Sequence, residues 1–304
     1  RSTRTAYRPC TTTERTDGNL LTNETNLPPA LYKFLNDKKY TRGDADISVS
    51  SLAEPPRKVA LMDMYADHII TDVKDSARLV IGNAVHEILA RYGEHELDDS
   101  TRLFMRVNGW VVSGQTDHYS SGRIIDYKTM GTREYMKGIR FEREAQTNAY
   151  AELLRVNGYE VNSVAACCVF VDWSPMQVQY SKMTGYPEAS VVVVELPLWT
   201  RERAQEWILS RVIAHQEARE ILPYCTPEEV WGEDKWAVMK DGATRASKVF
   251  ENEEEARLFA DEKGSDYYVE YRQGEPIRCK FYCDVGANGL CHQYNEAREN
   301  EGVR

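Results

Sequence analysis

The sequence predicts an α/β (α+β) fold: a central mixed β-sheet flanked by helices, followed by a small C-terminal β-β-α-β excursion. Three observations carry that expectation. Apolar, β-branched segments read as strands, above all 111–129 (VVSGQTDHYSSGRIIDYKT), 161–171 and the valine run within 190–198. Between them lie segments with apolar residues at helical spacing, near 76–92, 142–156 and 200–222. After Pro223 short strand-like and helix-like pieces alternate, with too few large apolar residues to build a big core.

The segment 111–129 organises the rest. Val111, Val112, Ile124 and Ile125 give it strand character, and 118–122 supplies a polar turn. Alternation along a strand puts Asp126 and Lys128 on one face, and Asp117 can sit opposite them across the turn. Two carboxylates and an ammonium then converge. Carboxylates are hard oxygen ligands for Mg²⁺ or Mn²⁺, and a neighbouring lysine can orient an attacking water. Such a patch suits metal-assisted phosphodiester hydrolysis. A bare acid-x-Lys triplet also occurs at Asp72, Glu233 and Asp261, each in polar or helix-like context and read as solvated surface.

Other elements follow in order. Residues 1–26 read as loosely structured, and 27–40 as a short helix entered through prolines. The segment 47–51 reads as a strand or helix entry with Ser50 or Ser51 as a cap, and 61–72 as a helix. In the next helix, Ile81, Val85, Ile88, Leu89 and Tyr92 form an apolar stripe, and Gly82 and His86 share a face beside it. Gly82 suggests close approach by another backbone. Asn108-Gly109 signals a hairpin between 102–107 and 110–115, so three strands form a meander whose second strand carries Asp117. Gln146 and Tyr150 repeat the four-residue spacing in the 142–156 helix. The segments 177–183 and 190–198 read as a strand pair, and 200–222 as a long helix with Trp207, Ile208, Val212 and Ile213 inward.

Together, Gly82-xxx-His86, Gly114-xx-Asp117, Asp126-Tyr127-Lys128 and Gln146-xxx-Tyr150 resemble the PD-(D/E)xK nuclease superfamily in its RecB-like branch. That branch includes the RecB and AddB nuclease domains and CRISPR-adaptation nucleases. The motifs span about residues 80–155 in the family's order. More loosely, the chain from Ile47 to the C-terminal cysteines resembles uncharacterised phage-encoded members. The resemblance implies a restriction-endonuclease-like core and Mg²⁺ or Mn²⁺ held by His86, Asp117, Asp126 and the Tyr127 carbonyl. It implies Lys128 as the water-orienting or charge-stabilising group, and Gln146 and Tyr150 as DNA-positioning residues. The implied activity is a deoxyribonuclease, as an exonuclease or processing enzyme in phage recombination or replication, with DNA and phage or host recombination or replication proteins as partners. The alternative is a nuclease-fold module that binds DNA or assembles without turnover.

Seven cysteines occur. Cys167 and Cys168 lie in an apolar strand and read as buried or half-buried thiols. Cys279, Cys283 and Cys291 cluster in a loop-like segment, and Cys225 precedes the excursion, so a four-cysteine site would clasp both its ends. His292 could replace one ligand. Relatives such as AddB hold a 4Fe–4S cluster with one early and three late cysteines; here the early one would be Cys10, and the late spacings are wider. Zinc, an iron–sulfur cluster and thiols without metal all remain open.

The 304-residue chain carries a net charge of −10, which argues against a non-specific DNA-coating protein and leaves DNA contact to local clusters. Candidates are Arg57-Lys58, or Arg133, Lys137, Arg140 and Arg143. No apolar run is long enough to span a membrane, and the polar N-terminus lacks a signal core, so a cytoplasmic protein is expected, in the host cytoplasm if phage-encoded. The first residue is not methionine, so the chain could begin inside a longer product. The expected domains are an N-terminal arm and short helix (1–46), a nuclease core (47–224) and the excursion with its cysteine segment (225–304).

Overall fold

The computed structural model describes residues 14–16, 19–25, 27–36, 43–92, 97, 101–180 and 185–302. The chain forms two compact units, one of Arg1–Ala60 with Ala66–Leu222 and one of Leu61–Tyr65 with Pro223–Arg304. Its architecture is mixed α/β, with several sheets flanked by helices, in the class the sequence predicts.

The first unit begins with strands β1 (Glu14–Thr16) and β2 (Asn19–Thr22) and helix α1 (Pro29–Asn36). Strand β3 (Ile47–Ser48) runs straight into α2 (Val49–Leu52), and α3 (Pro56–Met64), β4 (Ile70–Asp72) and α4 (Ala77–Tyr92) follow. Two hairpins come next, β5 (Leu103–Val107) with β6 (Trp110–Gly114), then β7 (His118–Ser120) with β8 (Arg123–Met130). After α5 (Thr132–Tyr135) and α6 (Phe141–Val156) come β9 (Ser163–Phe170), α7 (Pro175–Tyr180), β10 (Val191–Leu196) and α8 (Arg201–Glu220).

The principal sheet has the order β10-β9-β8-β7. Its central pair, β8 and β9, is parallel, and both outer pairs are antiparallel. A parallel pair needs a long crossover, which α5 and α6 provide. A second sheet has the order β3-β6-β5, and a third β1-β2-β4. Helix α6 is the hub. Ala149, Tyr150, Ala151, Leu153 and Leu154 are buried with Ile47, Val49 and Leu52, Met105 and Val112, Ile124 and Val164, and Ile208 and Val212 of α8. Small residues on α6 bring it close to the β10-β9-β8-β7 and β3-β6-β5 sheets, and removing a side chain such as Leu154 would cost about 2–5 kcal/mol.

Several expectations need correction. The three-strand meander does not form, because β5 and β6 lie in one sheet while Asp117 leads into β7 of another. The helix expected over 61–72 ends at Met64, and Ile70–Asp72 pairs with β2 as a strand. Where a strand was expected from Gln177, Pro175 opens helix α7, its fixed φ suiting a first helical turn; residues 181–183 lie outside the described ones. β10 pairs instead with β9. The apolar stripe of α4 is largely exposed, with Ile81, Ile88 and Tyr92 open, and Ile213 of α8 is exposed too. The cap before α2 is Ser48, whose hydroxyl accepts from the Ser51 N–H, and not Ser50 or Ser51. Cys10, most of 1–26 and residues 37–40 lie outside the described residues.

In the second unit, α9 (Pro227–Val230) starts with a capping box between Thr226 and Glu229. Then come β11 (Lys235–Lys240), β12 (Lys248–Phe250), α10 (Glu253–Lys263) and β13 (Tyr267–Arg272), the expected β-β-α-β order. β11 is the central strand, paired antiparallel on both sides. Val238, Ala256 and Ala260 form the buried centre, with Trp236, Phe250, Phe259, Tyr267 and Val269 around it. Three short helices finish the unit: α11 (Ile277–Phe281), α12 (Asp284–Ala287) and α13 (His292–Gly302). No helix among the described residues is long and apolar enough to cross a membrane.

Candidate active site

The β7–β8 hairpin sets the geometry. Ser121 and Gly122 both have positive φ (50° and 75°), the signature of a two-residue turn matched to strand twist. The register pairs His118 with Ile125, so Asp117 stands one position beyond the last pair, beside Asp126 and Tyr127. Its Oδ2 accepts the Tyr127 N–H at 2.8 Å, replacing the ladder bond that β7 no longer provides. In a strand, the N–H and C=O of one residue face the same edge, so the Tyr127 carbonyl faces the Asp117 side as well.

Asp126 is buried, with 3% of its surface exposed. Lys128, two residues on and therefore on the same face, donates to Oδ1 at 2.9 Å, and its Nζ is 2.8 Å from Oδ2. The approach to Oδ2 lacks hydrogen-bond direction, so this buried oxygen has an ion-pair neighbour but no donor. Burial pushes the Asp126 carboxyl above the ordinary carboxylate range; Lys128 opposes the shift and the nearby Asp117 charge adds to it. From α4, His86 Nδ1 lies 3.0 Å from Asp117 Oδ1. That bond raises the imidazole's affinity for a proton, with burial opposing. Gly82, one turn earlier on α4, faces a side chain and not a backbone: a Cβ there would meet Thr129 Oγ1 of β8 at 3.4 Å. Among the described residues, no three His, Cys, Asp or Glu side chains are set around a common point as metal ligands are.

Gln146 and Tyr150 project from α6 toward the same region. Gln146 Nε2 lies 3.4 Å from the Tyr150 hydroxyl and donates to Ser50 Oγ at 3.1 Å. Ser50 Oγ is in turn 3.1 Å from the Tyr150 hydroxyl. Tyr150 is buried, and burial raises its phenol pKa, with Asp126 and Asp117 adding to the rise. Gly114 makes room for it. A Cβ at that position would come within 2.8 Å of the Tyr150 ring and 2.7 Å of Leu153, so the spacing Gly114-xx-Asp117 has a packing origin on the glycine side. Sequence reasoning missed Ser50 as a site residue, reading it as a helix cap.

The basic clusters are more committed internally than their sequence suggested. Arg57 is buried, and Lys58 pairs with Glu54 at 2.8 Å. Arg140 and Arg143 both turn to Glu134.

Four cysteines gather in the second unit. Cys225 is held to α13 by reciprocal bonds, its N–H donating to Gln293 Oε1 and its carbonyl accepting from Gln293 Nε2, both at 2.8 Å. Cys283 and Cys291 are buried. Burial pushes the Cys225 thiol up to about 12, with Glu229, Cys279, Cys291 and Cys283 adding to the rise. Cys279 is raised to about 11 by burial and then by Cys283 and Cys291. The four thiols therefore lie within electrostatic reach of one another. His292 instead points to Glu296, 3.3 Å away.

No family model matches the chain, and no curated protein matches it. Among solved structures, a protein named SSO0001 is similar at 13% identity and a TM-score of 0.41, over 61% of this chain and 82% of that one. A protein from Eubacterium rectale described as "Putative exonuclease" is similar at 12% identity and a TM-score of 0.31, over 64% of this chain and 74% of that one. Both likenesses are distant, and the functional reading rests on the residues.

Proposed function

We propose that the first unit is a metal-dependent deoxyribonuclease of the PD-(D/E)xK type, acting as an exonuclease on DNA. The observation that supports it most is the gathering of His86, Asp117, Asp126 and Lys128 around β8, linked by contacts of 2.8–3.0 Å. Two carboxylates and an imidazole suit a hard divalent cation. Asp117, Asp126, His86 and the Tyr127 carbonyl would hold Mg²⁺ or Mn²⁺. Such an ion, when bound, supplies Lewis acidity toward phosphate and lowers the pKa of water.

The chain's own groups do the rest. Lys128 keeps a fixed positive charge beside Asp126, where negative charge grows as the phosphodiester is attacked. Gln146 and Tyr150 offer neutral donors to the strand. Incubating end-labelled single- and double-stranded DNA with the protein and Mg²⁺, Mn²⁺ or a chelator tests the proposal. Progressive shortening from an end under either metal, stopped by chelation, is expected. DNA retained without any cleavage would favour a silent binding module instead.

The cysteines carry a separate proposal, that Cys225, Cys279, Cys283 and Cys291 take a structural zinc ion. Its support is the grouping of four thiols around the ends of a unit with a small core. Metal entry would replace their protons. Elemental analysis of fresh protein decides between zinc, iron and neither.

A further inference from the structure

We propose that Ser50 is the third member of a hydroxyl–amide cluster, with Gln146 and Tyr150, that receives a backbone phosphate oxygen of the DNA strand. The inference rests on the nuclease reading above and adds to it a residue and a contact.

The first argument is a count of hydrogens. The Gln146 amide donates to the Ser50 hydroxyl at 3.1 Å and approaches the Tyr150 hydroxyl at 3.4 Å. Between the two hydroxyls, 3.1 Å apart, only one hydrogen can lie. Whichever hydroxyl donates, the other keeps a proton with no acceptor inside the cluster. With Ser50 exposed, that proton is available to an acceptor from outside. On the nuclease reading, in which Asp117 and Asp126 would hold a divalent cation beside this cluster, a phosphodiester oxygen is the acceptor that fits.

The second argument is that the fold does not need the Ser50 hydroxyl for its own stability. Helix α2 is fixed without it. Val49 and Leu52 are fully buried, and Ser48 caps the start. Arg211 donates to the Leu52 carbonyl at 2.9 Å and the Glu54 carbonyl at 2.6 Å. Ser50 lies between those anchors with its side chain exposed, and both its partners come from α6, about a hundred residues later in the chain. An anchored backbone thus presents this hydroxyl to two motif residues. Ser50 positions Gln146 and Tyr150 and shares their donor set.

The test uses the full chain with Ser50→Ala and Ser50→Thr. Binding of a fluorescein-labelled oligonucleotide is followed by anisotropy in Ca²⁺, and cleavage by steady-state kinetics in Mg²⁺. Loss of one neutral hydrogen bond should weaken binding and raise KM about fivefold to tenfold in Ser50→Ala, with kcat within about twofold. The salt dependence of binding should not change, because no charge is lost. Ser50→Thr should restore the parent values to within about twofold. Equal Kd and KM for parent and Ser50→Ala, in a preparation where Asp126→Asn no longer cuts, would overturn the role of Ser50 and leave the nuclease standing. A fall in kcat and thermal midpoint with KM unchanged would mark a structural role and overturn it too. A parent that neither binds nor cuts DNA with Mg²⁺ or Mn²⁺ would bring down the nuclease reading, and this inference with it.

Discussion

The carboxylate site of the first unit and the cysteine cluster of the second both concentrate ionisable groups, and they keep them in opposite ways. Asp126 is buried yet has a lysine against it, and Asp117 has a histidine and a backbone N–H, so the site holds charge and opposing charge side by side. The cysteines have little cationic help. Burial raises Cys225 to about 12 and Cys279 to about 11, which keeps them as neutral thiols at physiological pH. The lesson is about cost. On the proposed reading, a divalent cation would enter the carboxylate site without displacing thiol protons, whereas the thiol cluster would have to release them, so metal entry there would depend on pH and on the ion's thiophilicity.

The largest expected effect breaks or sharpens that contrast at the cysteines. In metal-free protein at pH 7.5, Cys225 should react with iodoacetamide about 10³-fold more slowly than an ordinary cysteine, because the thiolate is the nucleophile. Alkylation at the ordinary rate would mean the cluster is ionised already. At the other site, Lys128→Ala should cut turnover by about 10²–10³ while Mn²⁺ binding, read by electron paramagnetic resonance, is retained. Loss of Mn²⁺ binding together with activity would assign the lysine a structural part only.

A third effect separates acid sensitivity of the fold from that of the site. Burial, with Arg211 adding, lowers His215 to about 4, and its Nε2 lies 3.4 Å from the Leu52 carbonyl. An unfolded histidine titrates near 6.5, so between about pH 6.5 and 4 the unfolded chain binds the extra proton. Stability of the first unit should therefore rise with pH across that window and level off above it. The full difference is roughly 3 kcal/mol, about 10² in the folding constant. Urea midpoints from pH 4 to 7.5 would show the slope, and His215→Gln should flatten it. Smallest is the effect of Cys283→Ser, which should weaken zinc binding at least about tenfold and loosen the second unit in hydrogen exchange before the first.

Much of the carboxylate site was legible because its signals are local. Alternation puts Asp126 and Lys128 on one face, and a serine–glycine turn fixes which residues meet across the hairpin. The four-residue spacing of Gln146 and Tyr150 likewise needs only a helix. Which strands share a sheet is not local. The chain from β6 to β7 leaves one sheet for another, and nothing in Gly114 to Asp117 announces it. The α4 stripe had helical period but is exposed, since periodicity tells which residues share a face and not what covers that face. Ser50 escaped for a related reason: Ser48, Ser50 and Ser51 are equivalent as caps in sequence, and only the approach of α6 distinguishes them.

The central claim is that Asp126 sits in a site that hydrolyses DNA with a divalent metal. The most direct measurement is a cleavage time course of end-labelled DNA in Mn²⁺ for the parent and Asp126→Asn, purified side by side. Asparagine keeps the shape and removes the charge. The parent should shorten the DNA and Asp126→Asn should leave it intact over the same interval, a loss of at least about 10³. Equal cleavage by the two proteins would contradict the assignment.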